Sequence, residues 1–423
     1  MAHGYAHAVT SKDEDTHAVL HSAGTSLFAI YDGHGGKQAA EHCREKLSPA
    51  LIALAPDFEE AAIADAFWAA DASLGKDNVL DGTTATVLLV SHGGGGGTTS
   101  NARCVLAWVG DSSALVVDML APGLHKAAVS HVTLDHHVKS PSEVARLEQE
   151  WAVRKHLRAS NRSPSVVTAS RETSKSQFSG EASKSSVDGV TLAEAREASI
   201  ALGMDLSDAQ VRMLHRALAR EQTIVRHERR SGLRRASTTL GSRFANNMGP
   251  MALIAGHRAT APDGASPAAM AAMAAAAPKG WPSSTSPSPV STCVTRSIGD
   301  WDASRACVPQ PDALRFDVPP DGFVRVVLAS DGLWDFVTKA DAARLLRTTQ
   351  TAQRAAEQLV SLAKSRSVSR IGRLKDDTTV IVATVNPAAL DSWPAIESSS
   401  FFGCCRGGAV AQVVVEPAPV ATE

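Results

Sequence analysis

Two largely apolar stretches of the chain each end at an Asp-Gly pair. Residues 27–30 (LFAI) lead into residues 31–36 (YDGHGG), and residues 325–329 (RVVLA) lead into residues 330–332 (SDG). Short apolar runs bounded by turn residues predict buried strands, so both acids are expected at strand ends. Because Asp-Gly is also a common turn dipeptide, a plain turn at Asp32 is the alternative interpretation.

The remaining pattern predicts further strands and helices around these two runs. Strands are expected at residues 84–90, 103–109, 114–118 and 380–385, and helices at residues 37–54, 58–74, 141–150, 340–347 and 352–365. The strands between 84 and 118 predict an antiparallel meander with Asp111 at its last turn. Asp376 precedes the strand at 380–385. Meandering strands and paired helices indicate sheets covered by helices.

The middle of the chain has a different composition. Residues 153–290 are rich in Ser, Arg and Ala, so we expect an insert that is mostly disordered. A helical hairpin is predicted near residues 191–222, since Thr191 with Glu194 and Ser207 with Gln210 have capping-box spacing. It would dock on its own domain or on a partner protein. The predicted domain is therefore split into residues 1–152 and 291–390, followed by a flexible tail, residues 391–423.

Two short motifs outside the predicted domain suggest modification. Arg234-Arg235-Ala236-Ser237 resembles a site for basophilic protein kinases, so a kinase or regulatory partner acting on the insert is one expectation. The paired Cys404 and Cys405 suggest lipid attachment, although the terminus carries no anchor motif. Membrane attachment through these cysteines is therefore an alternative to a wholly soluble protein.

Composition narrows the class of protein. The 423 residues are 44% hydrophobic, which is enough for a substantial core, and the formal net charge of -2 gives no reason to expect nucleic acid as a partner. No apolar run is long enough to span a bilayer, and no secretory signal is visible. Six cysteines without CxxC pairs suit a reducing compartment. We expect a cytoplasmic or nuclear monomer.

Acidic residues recur at the edges of the strand-like runs. They are Glu14 and Asp15, Asp32, Asp111, Asp331 and Asp376. If the strands share a sheet edge, these carboxylates converge, and their mutual repulsion requires cations. Two divalent ions about 3.5–4 Å apart satisfy such an arrangement and activate water for attack on phosphorus. Oxygen ligands suit Mg²⁺ or Mn²⁺, and the adjacent His34 can carry a proton.

The ordered parts of the chain resemble the metal-dependent protein phosphatase family, of the protein phosphatase 2C type. The matching stretches, in the family's order, are GYAHAV and DEDTH, YDGHGG, DGTTATVLLV, AWVGDSSALVV, VTLDHH, VTRSIGD, VLASDGLWDFV and KDDTTVIV. They cover about residues 4–150 and 292–385. The resemblance implies an α+β fold, an α-β-β-α four-layer sandwich of two mostly antiparallel β-sheets flanked by helices. It also implies hydrolysis of phosphoserine and phosphothreonine in phosphoprotein substrates, without a phosphoenzyme.

The resemblance also implies a role for each matching residue. Asp32 would bridge two Mg²⁺ or Mn²⁺ ions, with the Gly33 carbonyl on one of them. Glu14 would complete one metal site, and Asp331 with Asp376 would hold the other. The remaining residues implied are Asp111 at a weaker third metal position, Asp15 as the group that orients water, and His34 as the general acid.

One departure motivates a second hypothesis. The family usually has an arginine that grips the substrate phosphate four residues before the first-motif glutamate, and here that position is Thr10. Lys12 or an arginine of the insert is a conceivable substitute. The alternative is therefore a weak or inactive pseudophosphatase that acts as a binding or regulatory module. A cysteine-based phosphatase is excluded, because no cysteine is followed by an arginine at the spacing of that phosphate loop.

Overall fold

The computed structural model describes residues 1–22, 24–92, 101–119, 128–160, 190–230, 294–301 and 307–385. They fall into two compact units. The units are Met1–His137 with Val294–Trp301 and Cys307–Glu423, and Val138–Cys293 with Asp302–Ala306. Among the helices of the described residues, none is long and apolar enough to cross a membrane.

Two antiparallel sheets form the centre of the first unit. The strands are β1 (Ala2–Ala8), β2 (Asp15–Ser22), β3 (Thr25–His34), β4 (Gly82–Thr83), β5 (Ala85–His92), β6 (Ala102–Val109), β7 (Ser113–Asp118), β8 (Ala128–Val132), β9 (Ile298–Gly299), β10 (Asp312–Val318), β11 (Val324–Ala329) and β12 (Thr378–Val385). One sheet has the order β1-β12-β11-β7-β8. The other has the order β10-β6-β5-β3-β4-β9, and β2 pairs with β3.

Helices flank both sheets of this unit. They are α1 (Gln38–His42) and α2 (Ser48–Ile52), joined by the π-helical turn Cys43–Leu47, then α3 (Glu60–Asp77), and near the end of the chain α7 (Asp331–Trp334), α8 (Lys339–Thr348) and α9 (Ala352–Ile371). The second unit contains α4 (Pro141–Ser160), α5 (Leu192–Ala201) and α6 (Asp208–Arg230).

Apolar side chains fill three layers around the sheets. Phe28 of β3 and Val326 of β11 lie in the layer between the two sheets. Leu27, on the opposite face of β3, lies with Phe67 of α3 in the layer beneath the first helices. Alternate residues of β11 and β12 form the third layer with α8 and α9. A strand covered on both faces is apolar at successive positions, which explains the continuous runs in the sequence. The predicted α-β-β-α sandwich is confirmed.

One alternative interpretation and one local prediction are wrong. The plain turn at Asp32 does not form, because β3 continues through Asp32 and Gly33 to His34. The predicted meander also fails at its last step. Strands β5 and β6 are neighbours, but β7 pairs with β8 and β11 in the other sheet. Asp111 therefore lies where the chain crosses from one sheet to the other.

The three helices of the second unit share a small core. Val153 of α4, Ala198 of α5 and Leu214 of α6 belong to it. The predicted capping box begins α5, where the Thr191 side chain accepts from the Glu194 backbone N–H. The α4 helix continues ten residues beyond the predicted short helix at 141–150. The motif at residues 234–237 and the cysteine pair at 404–405 lie outside the described residues.

Arg325 joins β11 to the end of α8. Its guanidinium donates to the carbonyl oxygens of Leu346 at 2.5 Å, Thr349 at 2.5 Å and Gln350 at 2.6 Å. The side chain is 1% exposed, so these carbonyl groups have little access to water as substitute partners. A cation at the carboxyl end of a helix also interacts favourably with the helix dipole.

We expect Arg325→Met to lower the free energy of unfolding by about 3 kcal/mol, because it leaves buried carbonyl groups without donors. Urea denaturation measures the change. Arg344→Met is the matched control on α8, since the Arg344 side chain is 73% exposed. Its ion pair with Asp341 should be worth less than about 0.5 kcal/mol. Equal effects of the two substitutions would contradict the anchoring role of Arg325.

Candidate active site

Two acids face each other across neighbouring strands at one rim of the seven-stranded sheet. Asp15 begins β2 and is the direct register partner of Asp32 in β3. Like charges in opposite positions destabilise a strand pair unless something compensates them. Ser112 donates to Asp32 Oδ2 at 3.5 Å, whereas the buried Asp15 Oδ2 has no hydrogen-bond partner among the described residues. The rim thus presents a carboxylate oxygen in need of a partner.

Three more acids reach this rim from other connections. Asp331 is the first residue of α7, directly after β11. Asp376 lies two residues before β12, and Asp111 lies between β6 and β7. Asp111 and Asp376 both act on Asp331 through their charge. Burial and the Asp111 carboxylate raise the pKa of Asp331 to about 8.

The pKa values of the other acids at the rim are raised as well. Burial, with the carboxylates of Asp15 and Asp331, raises the pKa of Asp32 well above its usual value. Burial raises the pKa of Asp15 to about 6, and burial with the Asp135 carboxylate raises the pKa of Asp111 to about 6. A shift in this direction means that the negative charges are mutually unfavourable. A cation placed among them would be strongly attracted.

A lysine supplies one positive charge at the rim. Lys12 Nζ lies 2.7 Å from Asp376 Oδ2 and 2.9 Å from Asp376 Oδ1. Burial opposes protonation of Lys12, but its bond to Asp376 and the nearby Glu14 outweigh burial and raise its pKa. Glu14 Oε1 accepts from the Gly36 backbone N–H at 2.8 Å. Asp376 and Glu14 thus have partners within the chain.

Gly33 lets the segment with Glu14 approach β3 closely. A Cβ atom at Gly33 would lie 2.6 Å from the Glu14 carbonyl oxygen, which is closer than any ordinary contact. A side chain there would displace the segment that carries Glu14 and Asp15. The glycine of the YDGHGG stretch therefore has a steric role.

His34 is held by an acid that is distant in the sequence. Its Nε2 lies 2.8 Å from both carboxylate oxygens of Asp300, and Asp300 also accepts a hydrogen bond from Ser297. Burial opposes protonation of His34, but the Asp300 carboxylate outweighs it and raises the pKa of the imidazole. The Asp300 side chain is 1% exposed, so the pair is shielded from water on that side. His34 can therefore hold a proton near neutral pH.

Asp377 fixes the segment between β1 and β2. Its Oδ1 accepts from the Thr10 backbone N–H at 2.5 Å and from the Thr10 hydroxyl at 2.7 Å. Its Oδ2 accepts from the Glu14 backbone N–H at 2.9 Å. The Thr10 side chain is therefore directed to Asp377, in the position where the family resemblance implies an arginine. This buried tether sets where Glu14 and Asp15 lie relative to β12.

The donor set suits a hard divalent cation. It consists of carboxylates and a backbone carbonyl, and Asp15 offers a buried oxygen without a partner. As the side chains stand, no group of three or more His, Cys, Asp or Glu among the described residues forms a ready metal site. Lys12 and the Gly36 N–H hold two of the carboxylates instead. The chemistry of the rim fits the ion, and binding requires these side chains to change partners.

Sequence reasoning did not anticipate three residues of this region. Asp300, Asp377 and Asp135 lie within the VTRSIGD, KDDTTVIV and VTLDHH stretches, but the sequence assigns them no partner. Asp135 accepts from Ser113 at 2.5 Å and acts on Asp111 through its charge. The family-like motifs that contain these residues were the only signal that they matter. The partner of each one depends on which segments meet in the folded chain.

We expect Asp377→Ala to weaken divalent-ion binding by about 10- to 100-fold, because it releases the segment that carries Glu14. Isothermal titration calorimetry with Mn²⁺ measures the change. Thr10→Val is the graded control, since it removes the hydroxyl's bond to Asp377 and the one it accepts from the Lys12 N–H, but leaves both backbone bonds to Asp377. It should reduce affinity less than Asp377→Ala. Wild-type affinity in Asp377→Ala would refute the tether.

Comparison with known proteins places these features in a family. The sequence model of protein phosphatase 2C matches residues 6–172 and 291–370. Probable protein phosphatase 2C 5 of Arabidopsis thaliana is 36% identical over 100 residues, which are 24% of this chain and 22% of that protein. Probable protein phosphatase 2C 15 of Oryza sativa subsp. japonica is 38% identical over 99 residues, 23% of this chain and 21% of that protein.

These matches span less than a quarter of the length of the curated relatives. Among solved structures, the serine-threonine phosphatase 2C from Toxoplasma gondii aligns with a TM-score of 0.48 and 15% identity, over 90% of this chain and 93% of that chain. The family model itself accounts for more than half of the residues. The chain belongs to the protein phosphatase 2C family.

Proposed function

We propose that this protein is a metal-dependent serine/threonine phosphatase that hydrolyses phosphoserine and phosphothreonine in phosphoprotein substrates. The observation that carries the proposal is the convergence of Asp15, Asp32, Asp111 and Asp331, with raised pKa values, beside the His34–Asp300 pair. Such a concentration of negative charge has a physical reason only if cations join it. Family membership supports the same reaction.

The proposed ligands are the groups of the rim. Asp32 and the Gly33 carbonyl, Glu14, Asp331 and Asp376 would hold two Mg²⁺ or Mn²⁺ ions, and Asp111 with Asp331 a weaker third ion. When bound, the ions would neutralise the negative charges and lower the pKa of water, which makes water a better nucleophile toward phosphorus. Asp15 would accept a hydrogen bond from that water through its unpartnered Oδ2.

His34 would act as general acid toward the leaving serine or threonine oxygen. Its Nε2 is committed to Asp300, so the transferable proton would be the one on Nδ1. Asp300 would keep the imidazole charged until transfer and fix its orientation. This arrangement suits protonation of an alkoxide leaving group near neutral pH.

Phosphate release from a phosphothreonine peptide tests the proposal directly. We expect turnover with Mn²⁺ or Mg²⁺ and none with excess chelator, and recovery when the ion is restored. Turnover that persists in chelator would refute the metal mechanism. Absence of turnover from folded protein that binds Mn²⁺ by calorimetry would refute the enzyme and support the second candidate.

The second candidate is a pseudophosphatase that binds partners without turnover. Thr10 is uncharged and bonds to Asp377. Lys12 is charged but bonds to Asp376, so in this arrangement neither residue offers a free cation to a substrate phosphate. If Lys12 serves that role after Asp376 binds an ion, Lys12→Ala should raise KM with little change in kcat. A mainly structural Lys12 would leave KM unchanged.

The remaining proposals concern context. We propose a monomer in the cytoplasm or nucleus. A kinase or regulatory partner would act on the insert at residues 153–290, and the domain would consist of residues 1–152 and 291–390. Lipid attachment at Cys404 and Cys405 is the alternative for localisation.

A further inference from the structure

Four histidines that the proposed reaction does not use lie along one edge of the sandwich. They are His3 and His7 on β1 and His17 and His21 on β2. Alternate residues of a strand share a face, so each strand presents both of its histidines on one side. Tyr5 and Val19, which lie between them, pack against the layer between the two sheets. The four imidazoles therefore lie at the open border of that layer.

His3 and His21 form a pair with uncommitted ring nitrogens. Their ring centroids are 5.7 Å apart. His21 Nδ1 lies 2.9 Å from Ser26 Oγ, which leaves Nε2 of that ring for another partner. No hydrogen bond recorded among the described residues involves the ring of His3. Both rings also contact Phe28, which limits their movement on the inner side.

The other two histidines are already engaged. The Tyr5 hydroxyl lies 2.5 Å from His7 Nδ1. The Tyr5 ring stacks on His17 with a centroid separation of 3.8 Å. His7 therefore provides a matched control for His3, because it lies on the same face of the same strand.

We propose that His3 and His21 together bind a transition-metal ion of the Zn²⁺ class. Imidazole nitrogen suits Zn²⁺, Ni²⁺ and Cu²⁺, whereas Mg²⁺ prefers oxygen. Two imidazoles at the usual Zn–N distance, about 2.0–2.1 Å, place their ring centroids about 5 Å apart, so the observed pair at 5.7 Å would have to approach by less than about 1 Å to share an ion. The bond from Ser26 orients the His21 ring, as outer ligands do in metal sites. Water would complete the coordination.

The charge state of the rings agrees with this role. Burial and the neighbouring His21 lower the pKa of His3, and burial lowers the pKa of His21. Neutral imidazole is the form that binds a metal ion, so little proton release is needed near neutral pH. The bound ion would join β1 of one sheet to β2 of the other. These strands flank the segment that carries Lys12 and Glu14, and Asp15 is the first residue of β2.

Zn²⁺ titration by calorimetry, in saturating Mg²⁺ and in an Asp32→Asn background, tests the proposal away from the acidic rim. We expect one Zn²⁺ per chain, at least tenfold weaker binding in His3→Ala and in His21→Ala, and less than a twofold change in His7→Ala. Zn²⁺ should raise the thermal midpoint of the parent protein but not that of His21→Ala. Unfolding midpoints without Zn²⁺ establish that each variant is folded.

Two outcomes would refute the proposed metal site at His3 and His21. Unchanged binding in His21→Ala would mean that the ion uses His3 with another group. Equal losses in His3→Ala, His21→Ala and His7→Ala would mean diffuse binding to surface imidazoles. If a variant with Ala is unstable, His3→Asn and His21→Asn give the same comparison with smaller disturbance. In the protein that keeps Asp32, phosphate release with Mg²⁺ is expected to be unchanged by His21→Ala, so this result is separate from the fate of the proposed reaction.

Discussion

Asp32→Asn is expected to lower kcat/KM for a phosphothreonine peptide by about a thousandfold, since it would remove a carboxylate proposed to hold the ions and, with it, several kcal/mol of charge stabilisation. The same substitution should raise the thermal midpoint of the chelator-treated protein. Asp32 faces Asp15 across the strand pair, and the raised pKa of Asp32 shows that its charge is unfavourable there. Loss of activity with a gain in metal-free stability distinguishes a functional carboxylate from a structural one.

The control is Asp57→Asn, which removes a carboxylate whose side chain is 70% exposed. It should change neither turnover nor the midpoint beyond experimental error. Phosphate release and differential scanning calorimetry, each with Mn²⁺ and with chelator, give the four values needed. An Asp32→Asn protein that is less stable than wild type in chelator would refute the proposed repulsion. One that keeps wild-type turnover would refute the role of Asp32.

Much of the sandwich can be predicted from the local pattern of apolar residues. The run before Asp32 and the run before Asp331 are apolar at successive positions because both faces of β3 and β11 are covered. A strand of this kind can be identified from a few residues. An acid at its end is then placed at the rim without knowledge of the rest of the chain.

The parts that could not be predicted depend on contacts between distant residues. Asp377 accepts from Thr10 across a separation of 367 residues, and Asp300 meets His34 across 266. No local spacing encodes such a partner. The crossing of the chain after β6 was missed for a related reason. Gly110-Asp111 reads as a hairpin turn, and only the pairing of β7 with β11 shows that the chain changes sheets there.

In the absence of divalent ions, the stability of the protein is expected to fall as pH rises from about 6.5 to about 8. The cause is Asp331, with a pKa of about 8, together with Asp32, whose pKa is raised well above its usual value by burial and by the Asp15 carboxylate. Both groups have a pKa near 4 in the unfolded chain. The folded state therefore binds more protons in this window, and unfolding becomes easier as they are lost. The expected fall in midpoint is about 5 °C.

Other groups make the stability rise with pH, and they determine which two proteins should be compared. Burial lowers the pKa of His17 to about 4, so its contribution rises with pH but is complete by about pH 6.5. Burial also lowers the pKa of Lys339 to about 7, which adds stability as pH rises through the window. Wild type should therefore be compared with Asp331→Asn at each pH, since both proteins retain His17 and Lys339.

In chelator, Asp331→Asn should lose less stability than wild type between pH 6.5 and pH 8. Mn²⁺ should restore wild type most at pH 8, where the carboxylates are ionised and the ion replaces their repulsion with attraction. Its effect on Asp331→Asn should be smaller at every pH. Thermal midpoints across this grid measure both effects. Parallel curves for the two proteins in chelator would show that Asp331 carries no unfavourable charge, and the acids at the rim would then need no cation to hold them together.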